Sequence, residues 1–254
     1  MAFIEKAEEG RRVWRPFFMR LIAALLVVMT GATPAQAAMR GYIVTSFDSI
    51  RVEAPVRVIL TTGSGVSGSG EGDREALDRV QLSVSGGLLT VRMADGPSGG
   101  FGGDDTVDAP TIMLSTGQLR RAMVLGGAVL AIRELAGLEA DLSMSGNGEM
   151  IVEEADIDRL NLYVGGGGKL TISGTAREVR ATVNGPGELA ATGLEARGAT
   201  IANDGPGSIT MTVSGQARVT STGSGDTIVQ GQPSCTVNRR GVGKVICGAG
   251  VAGE

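Results

Sequence analysis

Histidine is absent from the 254-residue sequence, which removes the commonest general base, the Ser-His-Asp arrangement and most zinc sites. Aromatic residues make up only 3% of the chain, so its core must be built from small and aliphatic side chains. The only cysteines, Cys235 and Cys247, do not have the C-x-x-C spacing of a redox pair. Long apolar runs are missing too: the one candidate, 21–29, is shorter than the ~20 residues that span a bilayer. Nor is there an excess of basic charge. Residues 1–37 hold five of the 23 basic and three of the 27 acidic side chains, which leaves 18 against 24 beyond them, a net charge of −6. That balance argues against nucleic acid as a partner, since phosphate binding needs a basic face.

Glycine is abundant, with 41 residues, and it is periodic. A G-x-G signature recurs at Gly146 and Gly148, Gly166 and Gly168, Gly185 and Gly187, Gly205 and Gly207, Gly223 and Gly225, and Gly241 and Gly243. The first glycines step by 20, 19, 20, 18 and 18 residues, a period that belongs to stacked repeats. Gly126 lies 20 residues before Gly146, so the ladder is expected to begin one repeat earlier, at Gly126-Gly127-Ala128.

Between the signatures the residues alternate. Leu138, Ala140, Leu142 and Met144 form one apolar series, followed by Leu160, Leu162 and Val164, then Val179, Ala181 and Val183. A second short apolar series follows each glycine pair, as at Leu170 and Ile172, Leu189 and Ala191, and Ile209, Met211 and Val213. Period-two alternation marks half-buried strands. Each repeat therefore reads as strand, glycine turn, strand, connector, with glycine supplying the positive φ of a tight reversal. No helical pattern follows any G-x-G, which excludes a phosphate cradle. The expected fold is all-β, a β-helix-like solenoid of stacked two-strand repeats of about 20 residues with an N-terminal β cap. Periodicity leaves open whether the repeats stack in parallel or form an antiparallel meander.

Residues 1–37 read as a signal peptide. Arg11, Arg12, Arg15 and Arg20 precede the apolar run, and Ala35-Gln36-Ala37 supplies small residues for cleavage before Ala38. Export without a retained transmembrane helix is the expectation, and residues 38–254 then form one domain. Within it, 38–109 reads as the cap segment and an acidic glycine-rich loop, and 110–254 as the solenoid repeats. The cap should hold a strand at 56–62, a Gly/Ser tract at 63–72, a helical turn at 74–79 capped by Asp73, and strands at 80–85 and 88–93. Loop 96–108 carries Asp104, Asp105 and Asp108 without a recognised cation-binding spacing, so it is expected to be solvated.

Aligned by the glycines, Cys235 takes the place of Ala217 and Cys247 that of Val229, both inward positions on either side of Gly241. They should face each other across the last turn, and in an exported chain a disulfide is the natural state.

The opening FDSIRVEAPVRVIL, the segment VQLSVSGGLLTVRM, the G-x-G ladder and the closing GSGDTIVQGQPSC with VGKVICG together resemble the GIN-type domain of auto-transporter adhesin heads, over most of 43–248. The resemblance implies an all-β, β-helix-like fold, export to the cell envelope and surface binding, and it brings no catalytic motif. Too few residues follow Cys247 to form a membrane-spanning barrel, so a periplasmic or cell-surface-associated protein is expected.

No catalytic, cofactor-binding or metal-binding residues and no cofactor are assigned. The expected function is non-enzymatic binding of an envelope or surface component, either polysaccharide or protein. The alternative is a carbohydrate-active enzyme of the polysaccharide lyase or hydrolase kind, and its best residues are the acidic run Glu153, Glu154, Asp156 and Asp158. The outward polar positions available to a partner include Asn161, Tyr163, Thr171, Arg180, Thr182, Thr200, Thr210 and Thr212.

Overall fold

The alternating segments become strands that stack in parallel and in register in the computed structural model, which describes residues 38–94 and 109–248 and the backbone of 251–252. The signal peptide expected at 1–37 and the acidic loop expected at 96–108 both fall outside the described residues. The elements are β1 (Ala38–Gly41), β2 (Ser49–Val52), β3 (Arg57–Thr61), β4 (Ser67–Gly72), α1 (Arg74–Arg79), β5 (Val80–Ser85), β6 (Leu88–Met93), β7 (Thr111–Ser115), β8 (Arg121–Gly126), β9 (Val129–Gly146), β10 (Glu149–Val164), β11 (Lys169–Val183), β12 (Glu188–Asn203), β13 (Ser208–Ser221), β14 (Thr227–Gly231), β15 (Ser234–Arg239), β16 (Val245–Cys247) and β17 (Val251–Ala252).

Each long strand, from β9 to β13, is one coil. Its first part lies on one face, it bends, and its last part returns on a second face before the glycine turn. On the first face the parallel order is β7, β3, β9, β10, β11, β12, β13, β14, β16. On the second it is β6, β2, β8, β9, β10, β11, β12, β13, β15. Parallel stacking is thus the arrangement, not the meander.

Within each face, constant register sends identical positions of successive coils into continuous columns. Leu130, Met150, Leu170, Leu189 and Ile209 form one inner column and Leu142, Leu162, Ala181, Ile201 and Val219 another, all at most 2% exposed. Burying each large aliphatic side chain contributes about 1.5–3 kcal/mol. Differences in coil length are absorbed at the bend, where the pairing slips between Val152 and Ala155, Thr171 and Ser173, and Ala191 and Glu195. The bend also corrects one inward assignment: Leu138 is 72% exposed, because it lies at the bend just after Gly137, before inward alternation resumes at Ala140.

The glycines owe their place to close stacking more than to turn conformation. Positive φ occurs at Gly126 (79°) and Gly146 (138°), yet Gly187 and Gly207 have no such requirement. What they share is proximity to the coil beneath. A Cβ on Gly187 would lie 2.6 Å from the Gly168 carbonyl oxygen and 2.7 Å from Val164 Cγ1, and one on Gly207 would lie 2.6 Å from the Gly185 oxygen. The same approach brings the Gly207 amide to donate to the Gly185 carbonyl at 2.8 Å, and the Gly168 amide to the Gly146 carbonyl at 2.8 Å.

Segment 38–109 contributes both a cap and part of the stack. Coil β2–β3 is not terminal: β2 sits between β6 and β8, and β3 between β7 and β9, so a sequence-early coil is held between two later ones. Its turn uses Ala54 and Pro55 rather than glycine, with the Val56 amide donating to the Ala54 carbonyl at 2.8 Å. The chain then runs outward to β4, α1 and β5, which close the end of the stack, and β4 and β5 pair antiparallel with β7 and β6. After β7 it passes the inserted coil to reach β8. That seam is fastened by Thr116, whose amide donates to Thr61 O at 3.1 Å and whose hydroxyl donates to Phe47 O, and by the Arg120 amide on Asp48 O at 2.7 Å. Across the same seam, the Thr62 hydroxyl donates to Glu134 O at 2.7 Å.

Most of the Gly/Ser tract, the 6 residues Ser67–Gly72, is strand rather than loop. Its glycines make room: a Cβ on Gly70 would sit 2.8 Å from Leu77 Cδ2 and 3.0 Å from the Tyr42 ring. α1 spans the expected residues, and the Ala76 amide donates to the Asp73 carboxylate at 3.0 Å. No helix among the described residues is long and apolar enough to cross a membrane.

One polar cluster interrupts the core. Asn203 stands in the column of Met144, Val164 and Val183, fully buried, and its amide donates to Gly207 O at 2.9 Å and to the buried Thr227 hydroxyl at 3.2 Å. Asn203→Val strands the Thr227 hydroxyl and is expected to cost about 1–2 kcal/mol in urea unfolding. Adding Thr227→Val, which removes the stranded hydroxyl and leaves its column aliphatic between Ile209 and Val245, should recover most of that loss. A double variant no more stable than the single one would show that the amide's bond to Gly207 carries the effect instead.

The disulfide Cys235–Cys247 joins the two faces at the C-terminal end, with a Cα–Cα distance of 6.2 Å. Cys235 stacks on Ala217 and Cys247 on Val229.

Candidate functional site

The outward polar positions divide between the two faces. Thr171, Thr210 and Thr212 lie on the first, while Asn161, Tyr163, Arg180, Thr182 and Thr200 come together on the second. There Asn161, Arg180, Thr200 and Arg218 follow one another in a single outer column, and Tyr163 and Thr182 lie side by side in the next.

Tyr163 is 40% exposed, and its ring leans along the strand toward the turn, over Gly165. A Cβ on Gly165 would meet the ring Cε1 and hydroxyl at 2.7 Å. In the neighbouring coils that position holds Ser145, Asn184, Asp204 and Thr222, whose side chains would deny a ring this resting place. Aromatic residue and missing side chain therefore belong together.

Charge on this face is partly committed. Arg121 pairs with Asp141 at 3.6 Å, and the Asn161 amide donates to the same carboxylate at 2.8 Å. Asp204 accepts from the Thr222 hydroxyl at 2.7 Å, and the Glu178 carboxylate is turned over Gly198. Among the described residues, Arg180 and Arg218 have no ion-pair partner. Sequence reasoning named Arg180 but missed Arg218; a fixed step of 18 or 20 residues along the glycine ladder aligns the two.

The acidic run does not converge. Glu153, Glu154 and Asp156 are exposed at the bend, Asp156 accepting from the Thr175 hydroxyl at 3.3 Å, while Asp158 pairs with Arg177 at 3.3 Å. Among the described residues no group of three or more carboxylate or thiol side chains is placed to hold a metal ion.

Hollows occur at the capped end. One of about 440 Å³ is bordered by Arg40, Tyr42, Gln81, Ser83 and Arg92. Its two arginines and the Tyr42 hydroxyl already serve the fold. Arg40 pairs with Asp78 at 2.7 Å, the Tyr42 hydroxyl donates to Leu77 O at 3.1 Å, and Arg92 pairs with Glu53 of the inserted coil at 2.7 Å. The hydrogen bond from Arg92 holds the Glu53 carboxyl below its ordinary value, and burial pushes the Tyr42 phenol up.

Residues 46–233 match the family model described as "Putative auto-transporter adhesin, head GIN domain". Among solved structures, a "putative adhesin" from Bacteroides fragilis superimposes with a TM-score of 0.77 at 19% identity, over 84% of this chain and 97% of that one. A "putative lipid binding protein" from Parabacteroides distasonis gives 0.63 at 18% identity, over 84% and 96%. A "putative adhesin" from Parabacteroides merdae gives 0.60 at 18%, also over 84% and 96%. At these identities the likeness is one of fold. No curated protein matches the sequence.

Proposed function

The chain belongs to the family of auto-transporter adhesin head GIN domains, and from that premise we propose that it is an exported, non-enzymatic binding module of the cell envelope. The signal sequence is removed after Ala37, and residues 38–254 act as one domain in the periplasm or at the cell surface. Its partner is an envelope or surface component, polysaccharide or protein, and not nucleic acid.

The observation that carries this reading is the in-register outer array of Asn161, Tyr163, Arg180, Thr182 and Thr200 on a parallel sheet. Parallel coils about 4.8 Å apart offer a repeating set of side chains, which suits an extended or repetitive partner better than a small molecule. A disulfide at the open end and the leader-like 1–37 fit an oxidising compartment. The enzyme alternative would need its carboxylates gathered, and the run from Glu153 to Asp158 is instead spread along an exposed bend.

Fractionation of cells producing the full chain, followed by incubation of the recovered protein with purified envelope and cell-wall material, tests the reading. Retention that withstands washing is the expected result. Recovery in the cytoplasmic fraction, or free elution from every envelope component, would overturn it.

A further inference from the structure

We propose that the second face binds an acidic polysaccharide running along the stack, with a sugar ring packed on Tyr163 and its carboxylates held by Arg180 and Arg218. The inference rests on the binding reading above and names the partner's chemistry.

Three observations converge. First, Tyr163 is the only aromatic side chain exposed on either sheet face among the described residues, and Gly165 lets its ring lean along the strand over the turn rather than stand off it. Such a ring offers an apolar surface for the C–H face of a sugar, and its hydroxyl end remains available for polar contacts. Second, Arg180 and Arg218 occupy one outer column two coils apart, about 10 Å by strand spacing, with uncharged Thr200 between them. Neither has an ion-pair partner among the described residues, so both guanidinium groups are free to meet a ligand. A guanidinium presents a planar fork that matches a carboxylate. Third, Asn161, Thr182 and Thr200 place an amide and two hydroxyls around these groups, matching the hydroxyls of a glycan.

Charge decides between polymers. Beyond residue 37 the chain is net negative, so a polyanion is not drawn to the molecule at large and binding must come from this column. Single-stranded nucleic acid favours a basic groove with several stacking aromatics, whereas a single ring on an open sheet suits a glycan. A sugar in an extended chain advances by close to one strand spacing, so a polymer with a carboxylate on every second residue would set its charges opposite Arg180 and Arg218.

Hyaluronate, which alternates a uronic acid with a neutral sugar, is the probe, compared by calorimetry with neutral dextran, dextran sulfate and oligo(dT), using the full chain. Binding to hyaluronate should exceed that to neutral dextran at least ~10-fold at low salt and weaken as salt rises. R180Q with R218Q should lower the affinity ~10-fold and flatten the salt dependence. Y163A should lower it ~5-fold while leaving the salt dependence in place. All three side chains are outward, so melting temperatures should stay at the wild-type value. Unchanged affinity in these variants would overturn the site. Equal binding of dextran sulfate with no effect of Y163A would reduce it to ion exchange and overturn the glycan, as would tighter binding of oligo(dT). The envelope assay separates the two levels: if the Y163A/R180Q/R218Q variant is retained like the wild type, this site falls and the binding module stands; if neither is retained, both fall.

Discussion

Gly187→Ala is expected to abolish or severely impair folding, with a loss of about 3 kcal/mol or more in any protein recovered. The added methyl would lie 2.5 Å and 2.6 Å from two backbone oxygens, Gly166 O and Gly168 O, and 2.7 Å from Val164 Cγ1. Backbone at the centre of a stack cannot yield as a flexible side chain can. Moving one coil away would stretch the hydrogen bonds of the turn, such as that from the Glu188 amide to Gly168 O at 3.0 Å. Gly127→Ala is the control. It lies in the equivalent turn of β8–β9, has nothing within 4 Å of the site of a Cβ and needs no positive φ, so it should be neutral or slightly stabilising. Soluble yield and urea midpoints of the two variants would decide the matter; equal behaviour would show that the glycines serve turn flexibility, not close stacking.

Replacing Cys235 and Cys247 together with alanine should lower stability by about 3 kcal/mol, the contribution of a loop of this size acting mainly on the unfolded chain. The loss should be local as well as global. β14 has a long coil on one side only, β16 lies between β14 and the two-residue β17, and Cys247, at 1% exposure, is the last deeply buried side chain of its column among the described residues. Without the crosslink, limited proteolysis should cut between 231 and 247 before anywhere else in the stack. Reducing the wild type should reproduce the shift in unfolding midpoint, and the double variant should not respond to reductant. A wild-type midpoint indifferent to reduction would sink the claim.

These cysteines and glycines were legible because a solenoid repeats its own register. Counting along the ladder placed Cys235 over Ala217 and Cys247 over Val229, as the strands have them. The same counting could not order the N-terminal coil. Ile50, Val52, Ala54, Val56, Val58 and Leu60 alternate inward on either side of Pro55, which marks one coil, but periodicity relates only neighbours in sequence and β2–β3 pairs with strands that follow much later. The tract 63–72 hid a strand because its glycines are selected by what packs on them, Leu77 and Tyr42, and that partner lies outside the local pattern. The site was half legible. Alternation marks a residue as outward without saying on which face, so Thr171 and Tyr163 looked alike until the bend separated them.

The inserted coil bears on how the molecule answers a pull. An ordinary solenoid unravels from its ends, one coil at a time, each strand peeling off an open edge. Here a tug on the N-terminus first strips β1 from β4 and then meets β2–β3, gripped on both sides along both faces. Extracting it requires parallel ladders to shear at once, with the seam at Thr116 and Arg120 as a latch. Tension from the other terminus meets the Cys235–Cys247 crosslink, which shields the residues between the two cysteines and passes the load through Cys235 toward β14. The two ends therefore answer force differently, one by topology and the other by a covalent bypass of its last strands.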